Sequence, residues 1–599
     1  MPVVGISIYR LQRLIGVEIS REQLVSALEH LGCDIEGFGE LRRFRCERCG
    51  YVMEKTPTEA DPGYCENCRV DYESNPDLLD RLESIDVIRL DLLAVRPDMF
   101  DVGGLSRAVR AYLGITPGMA SYRVEESRFT VNVDDGVETS SCYRPAIACA
   151  VMRNLVFDDD LLKEIMRLQE NLHWAMGRDR KRASIGVYDL RALTETVFYR
   201  SVDPEEIRFT PLGWDEPSTP KEIVERHPKG ITFAHLLEPF SRYPLLIDDA
   251  DQVLSMPPII NSEETKVSLE TRDVFIDVTG MKESLAIKTL NVLTTSILEA
   301  FHGSRLERVL IRFPDGKERF TPDLTPQEKL LDLTALRRIL GFNVPDETIP
   351  ELLRRMGHAV EITGDDMLLV RIPAYRPDFL HERDLMEEVA IGYGYDRIPR
   401  NLVPTMTVAS AHPTQSRISK AVSILTGLGY LEVMSLMLGN EDTEYYRFGL
   451  ELPDSAVLLE NPISTEQTLI RSWLIPGLCD FLSRNTSREL PQQVFEVGPV
   501  SVVDGDAETG ARDEIHAAVA AVGTGIGFAD IRSVMQTLVR EYGFPFIVRE
   551  FAAPYYLKGR SAAIMTDEER CIGHFGEIHP EVLERFKLSY PVVCGELSL

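Results

Sequence analysis

The chain contains one stretch of itself twice. Leu11–Glu36 reads LQRLIGVEISREQLVSALEHLGCDIE and Leu336–Glu361 reads LRRILGFNVPDETIPELLRRMGHAVE. They align without a gap at an offset of 325, with seven of 26 positions identical and eight more exchanged between apolar residues. A second match follows in the same order. Arg96-Pro97-Asp98-Met99-Phe100 pairs with Arg376-Pro377-Asp378-Phe379-Leu380 at an offset of 280, and Leu105 and Gly114 pair with Leu385 and Gly394. Two ordered matches favour a duplication over a coincidence of two helix–turn–helix patterns. So long a period in only two copies excludes a solenoid. The fall in offset leaves about 45 extra residues inside the first copy.

Each copy predicts the same elements. A helix ends at Gly16 or Gly341, and a cap follows: Ser20 with Glu22 and Gln23, or Asp346. An amphipathic helix comes next, with Leu24, Ala27, Leu28 and Leu31 on one face in the first copy. It stops at Gly32 or Gly357, before a strand, the Arg-Pro-Asp turn and another helix. Between the copies, strands such as Phe129–Val133, Ile147–Met152 and Val274–Thr279 mix with helices near 158–175 and 282–301. After residue 403, helices at 415–429 and 529–543 alternate with strands Val494–Val497, His516–Val522 and Ile572–Phe575. That is an α+β pattern with a mostly antiparallel sheet. Gly523-Thr-Gly525-Ile-Gly527 reads as a strand-end turn, since no Lys-Ser or Lys-Thr follows it. A length of 599 residues allows about four domains.

Charge narrows the function classes. The chain has 65 basic and 95 acidic residues, a net charge of −30. That argues against broad, non-specific nucleic-acid or membrane binding, while leaving a local basic groove open. No apolar run approaches the roughly 18 residues of a membrane helix. The start, MPVVGISIYRLQRL, lacks the basic-then-apolar order of a signal peptide. A cytoplasmic protein with no membrane partner is expected.

Four of the ten cysteines cluster inside the insertion as Cys46-x2-Cys49-x15-Cys65-x2-Cys68. The other six are scattered, as in a reduced cytosolic chain. Two CxxC knuckles suit tetrahedral, structural Zn2+ coordination, and Gly50 and Gly63 permit the tight turns. The insert is polar and short, so a metal would supply its folding energy. Four reduced cysteines on a degenerate insert, or iron in a rubredoxin-like site, are the alternatives.

The acidic helix of the second copy suggests another metal. Asp384, Glu387 and Glu388 stand at i, i+3 and i+4, and Asp378 lies in the turn before them. Hard oxygen ligands with room for waters favour Mg2+. The alternative is an acidic first turn complementing the helix dipole. In the first copy Gly104, Arg107 and Ala108 replace the three helical acids, while Asp98 keeps the turn.

These strings resemble a known family. Arg376-Pro-Asp378…Asp384-Leu-Met-Glu387-Glu388-Val-Ala…Tyr393-Gly-Tyr-Asp-Arg-Ile-Pro399 resembles the B5 domain of phenylalanyl-tRNA synthetase β subunits. Asn461-Pro-Ile-Ser464…Arg471-Ser-Trp-Leu-Ile-Pro-Gly477, Phe495-Glu-Val-Gly498 and Gly573-His574-Phe575-Gly576-Glu577-Ile578-His579-Pro580 resemble the synthetase-like module of that subunit. Arg182-Ala-Ser-Ile-Gly-Val-Tyr-Asp-Leu190, Pro257-Pro-Ile-Ile-Asn-Ser262 and Phe275-Ile-Asp-Val-Thr-Gly280 resemble the B3/B4 editing domain of the archaeal and eukaryotic type. The cysteine insert departs from the family pattern.

The resemblance implies a multidomain α+β chain. Its parts would be a B1-like module at 1–118 with a zinc-ribbon-like insert at about 37–85, a B3/B4-like editing domain at 119–305, a B5-like module at 306–402, and a class II synthetase-like module at 403–599. The B1- and B5-like modules are expected as small helical duplicates. The last module is expected to be catalytically silent: no Arg-x-Glu triplet surrounds Phe495–Gly498, and no glycine run precedes Arg560. The implied partners are an α subunit, in an α2β2 assembly, and tRNA(Phe). The α subunit would do the ATP-dependent charging of phenylalanine. This chain would hydrolyse mischarged Tyr-tRNA(Phe), with Leu246, Ser255, Asp277 and Thr279 as the implied editing pocket. Two polar residues at the solvent face of a strand is the plain alternative for Asp277 and Thr279. A stand-alone editing hydrolase and a nucleic-acid-binding regulator are the rival functions. The net charge and the lack of an Arg/Lys-rich recognition helix count against the regulator.

Overall fold

The computed structural model describes residues 3–48, 50–65, 68, 70–91, 94–364, 366–403, 405–566 and 569–599. The chain divides into two compact units, Met1–Leu402 and Val403–Leu599.

The first unit begins with β1 (Val3–Ser7), α1 (Ile8–Ile15), α2 (Arg21–His30), β2 (Asp34–Cys46), β3 (Val52–Lys55) and β4 (Leu79–Asp91). A 3-10 turn at Pro97–Met99 leads to α3 (Val102–Tyr112). The sheet order is β1-β4-β2-β3. Leu24, Ala27 and Leu28 are buried along α2, and Ser20 and Gln23 cap it reciprocally. Gly16 and Gly32 end the two helices at φ 80° and 85°, where a β-carbon is disfavoured.

The middle region follows: β5 (Val124–Val133), β6 (Ala146–Arg153), α4 (Asp159–Ala175), β7 (Ala183–Asp189), β8 (Thr196–Val202), β9 (Tyr243–Asp248), β10 (Val253–Met256), β11 (Ile260–Asn261), β12 (Val274–Gly280), α5 (Glu283–Ala300), β13 (Arg305–Arg312) and β14 (Glu318–Thr321). They form one ten-stranded sheet in the order β11-β10-β9-β8-β5-β13-β6-β12-β7, with β14 on β13. β7 and β12 are buried throughout. One face of β6, β7 and β12 packs with α4 and α5 in a single apolar core. The opposite face curls inward, so that Tyr188 of β7 reaches Ser255 of β10, near the other end of the strand order.

The second copy is β15 (Gln327–Asp332), α6 (Leu333–Leu340), α7 (Ile349–Arg355), β16 (Ala359–Gly364), β17 (Met367–Ile372) and α8 (Glu382–Tyr393), with sheet order β15-β17-β16. This repeats β1-β4-β2 element for element. The copies are therefore not helical modules, because each folds its helices onto a sheet, four-stranded in the first copy and three-stranded in the second. Asp346 does not cap α7. Arg337 holds its carboxylate at 2.6 Å, and the helix starts after Thr348. The insertion lengthens the hairpin that is β16–β17 in the second copy.

The second unit centres on a seven-stranded sheet in the order Leu431–Glu432, Gln492–Val503, Ala511–Val522, Val592–Ser598, Cys571–Ile578, Tyr556–Met565, Ile547–Glu550. All pairs are antiparallel except the first. Helices Pro413–Gly427 and Phe528–Glu541 pack in one core, and Ile475–Arg484 and Pro580–Arg585 in the other. Gly523–Gly527 is the turn between a strand and a helix. No helix among the described residues is long and apolar enough to cross a membrane.

Candidate functional site

The strand period puts Asp277 and Thr279 of β12 on one face, and Leu246 of β9 lies directly opposite Ser255 of β10. All four are buried. Tyr188 draws two of them together: its hydroxyl lies 2.5 Å from Asp277 Oδ1 and 2.7 Å from Ser255 Oγ. Gly186 makes room for this, since a β-carbon there would fall 1.9 Å from that hydroxyl. Burial pushes the Asp277 carboxyl up to about 7, against the Tyr188 hydrogen bond and the nearby Arg144, which both favour its charge. Thr279 belongs to a second group. Arg144 Nε donates to Thr279 Oγ1 at 2.9 Å, and Nη2 donates to the Thr279 carbonyl at 2.9 Å and to Ser184 Oγ at 2.8 Å.

Arg144 also lines a cleft of about 490 Å³, with Cys142, Arg178, Lys181, His235 and Pro258 among its walls. None of the four sequence-derived residues lines this cleft; Arg144 is the side chain that touches both it and Thr279. Beside it, Arg178, Asp179 and Arg180 run in succession at φ 50°, 52° and 66°. Left-handed backbone costs about 1–2 kcal/mol per non-glycine residue, so this run has to be held. The Arg180 guanidinium does so: it donates to the Ile259 and Pro258 carbonyls at 2.9 and 3.3 Å and to Glu170 of α4 at 2.8 Å, and it stacks on Phe233.

The four carboxylates of the second copy do not converge. Glu388 is buried between Arg376 at 2.8 Å and His358 at 3.0 Å. Burial opposes its charge but is outweighed by these two partners, so the carboxyl sits well below the usual range. Asp378 shares the same guanidinium at 2.8 Å. Asp384 turns back to accept the amides of Leu380 and His381 at 2.6 and 2.8 Å. Glu387 is exposed. The expected shared face thus splits: Glu388 points inward and its neighbour outward. Among the described residues, the one group of three or more His, Cys, Asp or Glu ligand atoms within 4.8 Å of one another is Cys46, Cys65 and Cys68. Cys49 lies outside the described residues.

Known families match this chain in three successive stretches. Residues 171–302 match the B3/4 domain, 330–395 the tRNA synthetase B5 domain, and 398–599 the phenylalanyl tRNA synthetase beta chain CLM domain. The phenylalanine–tRNA ligase beta subunit of Methanothrix thermoacetophila is 36% identical over 599 residues, covering 100% of both chains. The chain belongs to the phenylalanine–tRNA ligase beta subunit family. The beta subunit of Archaeoglobus fulgidus is 35% identical over 602 residues, covering 100% of this chain and 98% of its own. The crystal structure of an N-terminal fragment of the Pyrococcus horikoshii beta subunit matches with a TM-score of 0.56 and 33% identity, covering 66% of this chain and all of the fragment. Sequence reasoning toward this beta subunit family passed over Tyr188, Ser184 and Arg144. The period of β7 puts Ser184, Gly186 and Tyr188 on one face and could have found the first two. Arg144 stands 135 positions from Thr279 and gives no local signal.

Proposed function

We propose that this chain is the non-aminoacylating β subunit of phenylalanine–tRNA ligase and that its B3/4 interior hydrolyses tyrosine wrongly esterified to tRNA(Phe). Similarity along the whole chain supports the subunit reading. So do the arginines of the second unit. Arg471 is buried on Glu496 at 2.6 Å, and Arg560 lies on Glu577 at 2.8 Å. Each is already neutralised by a carboxylate instead of awaiting a triphosphate. An α subunit would carry the charging reaction, in an α2β2 assembly with tRNA(Phe), and a cytoplasmic location goes with this reading. Its docking is supported by the sheet edge at Leu431–Glu432. Leu431, Met434 and Leu436 there are 65%, 94% and 72% exposed, an apolar edge that calls for a cover.

The observation that carries the editing reading is the carboxyl of Asp277 against a phenol. A phenylalanine pocket rejects tyrosine weakly, because an added hydroxyl costs little in an apolar site. A second site that hydrogen-bonds the hydroxyl can select it. Asp277 and Ser255 hold the phenol of Tyr188, so a tyrosine substrate bound by them would take that phenol's place. Arg144 would hold the ester end and orient water. An aminoacyl ester is activated, so positioning supplies much of the rate without a covalent nucleophile. In the α/β complex, Asp277→Ala and Thr279→Trp should leave Phe-tRNA(Phe) formation near the parent rate. Deacylation of Tyr-tRNA(Phe) should fall roughly tenfold or more, the worth of one hydrogen bond to a charged group. Parent-rate deacylation by both variants would remove the editing reading.

Mg2+ at Asp378, Asp384, Glu387 and Glu388 belongs to the same proposal. Four carboxylates within one turn and helix support it, and Arg376, which already neutralises two of them, opposes it. A Mg2+ titration followed at the amides of α8 separates the two: Glu387→Gln weakens the response if the ion binds there and leaves it unchanged if the acids serve the helix end.

A further inference from the structure

The insertion in the first copy has no role in the reading above. It carries a long ribbon, β2 with β4, whose far end holds β3 and the thiols of Cys46, Cys65 and Cys68. The core there is small, with Phe44, Met53, Val70 and Tyr72 packed around sulfur. So few apolar side chains do not hold a segment of this size, and a bound metal supplies what is missing. The Cys46 and Cys68 sulfurs are 3.7 Å apart. Disulfide sulfurs lie about 2.05 Å apart, whereas a tetrahedron with Zn–S bonds near 2.3 Å puts its sulfurs about 3.8 Å apart. The Cys68 amide donates to Cys65 Sγ at 3.4 Å, a bond that favours the thiolate.

This knuckle sets a strand register. After Cys46 the chain turns through Gly50 at φ 72°, with Gly50 N on the Cys46 carbonyl at 2.7 Å and Cys46 N on the Tyr51 carbonyl at 2.9 Å. It then enters β3, where Glu54 lies opposite Arg43. β3 is only four residues long, and a one-residue slip would turn Glu54 to the other face. In the observed register Glu54 takes Lys163 at 3.1 Å and Arg167 at 2.9 Å, both on α4. Arg45 takes Asp159 at 2.7 Å, and Arg43 takes Asp160. The ribbon thus matches α4 in charge, arginines against its acidic start and Glu54 against its basic middle. Near its other end α4 presents Glu170, which holds Arg180 of the left-handed run beside the cleft.

We propose that Zn2+ bound by Cys46, Cys65 and Cys68, with Cys49 as the fourth ligand expected from the sequence motif alone, is a remote positioning element: it fixes the register of β3, and through Glu54, Arg43 and Arg45 it holds α4 and the cleft wall at its far end. The full chain, purified without chelator, should contain one zinc per chain by metal analysis, and Cys65→Ser should lose it. Chelation should raise amide hydrogen exchange across residues 159–182 roughly tenfold or more, with residues 403–599 unchanged. Glu54→Gln should keep its zinc and still raise exchange in 159–182, which separates the clamp from general unfolding of the ribbon. A chain that binds no zinc overturns the proposal. So does a chelated chain, or a Glu54→Gln chain, whose 159–182 amides exchange at the parent rate. The readout is independent of tRNA hydrolysis, so this proposal and the editing reading fail separately.

Discussion

In the first copy of the duplicated module, α3 lies so close to α5 that a β-carbon on Gly103 would come within 2.4 Å of the Ser296 carbonyl. One on Gly104 would come within 1.9 Å of the Asp98 carbonyl. In the second copy the matching helix, α8, begins with Glu382-Arg383-Asp384 and carries Glu387 outward and Glu388 inward. Both copies close the same ion pair in the preceding turn, Arg96 on Asp98 and Arg376 on Asp378, each at 2.8 Å. Where the second copy has Glu387 the first has Arg107, which stacks on Tyr375 at 3.6 Å and reaches the Tyr122 hydroxyl at 3.0 Å. One frame therefore serves two ends. What lies against the start of its last helix, α5 at position 103 and the preceding turn at position 104, decides what that helix can carry there.

Exchanging residues between the copies tests this. The largest effect belongs to Gly104→Asp, which gives the first copy the acid of the second. With a backbone carbonyl in the way, it should cost more than about 4 kcal/mol, read as lost hydrogen-exchange protection in residues 8–112. Protection near the parent level would show that α3 has room and that the comparison is misdrawn. Glu388→Gln should cost about 3 kcal/mol in the second copy, because it leaves part of the buried Arg376 guanidinium without its charge partner and weakens the hydrogen bond with His358. Removing the acid from the second copy is cheaper. Asp384→Ala loses the two amides at the helix start and a contact with the exposed His381, about 1 kcal/mol, and if it cost as much as Gly104→Asp the asymmetry would vanish.

The smallest effect is a pH dependence confined to one copy. His358 faces Glu388, Arg376, Asp378 and the edge of Phe379. Burial lowers its pKa from 6.5 despite Glu388. The folded state binds this proton less tightly than the unfolded chain does. Stability from the site is thus complete above pH 6.5 and declines as pH falls below it. Glu388, whose carboxyl is held low, adds its own loss only as pH falls below 4.5. The first copy has Cys33 at the matching position, with a buried thiol pushed up to about 12, and does not titrate there. Mild acid should loosen residues 333–393 before 8–112, and His358→Cys should remove the difference.

The helices of both copies are legible because apolar spacing and glycine stops are local signals, as at Leu24, Leu28, Gly32 and Gly357. The sheets beneath them are less so: β16 and β17 are six residues each and show their pairing only in three dimensions. The acidic helix illustrates the limit of spacing. Positions 384, 387 and 388 lie within one turn, but whether 388 turns inward depends on His358 and Arg376, which come from other elements. In the B3/4 interior, Asp277 and Thr279 share a strand face that sequence can give. The phenol and guanidinium that complete their surroundings come from Tyr188 and Arg144, fixed by a curled sheet. The left-handed run at Arg178–Arg180 has no glycine to announce it.

The close seat of α3 also limits what the start of that helix can carry. A side chain at position 104 would meet the Asp98 carbonyl and one at 103 would meet α5, so both positions are closed to the residues the second copy carries there. In α8 the exposed Glu387 meets no such barrier, whereas Glu388 is held by Arg376 and His358. The glycine pair is therefore a latch on the start of α3 that the second copy, with Arg383 and Asp384 there, does without.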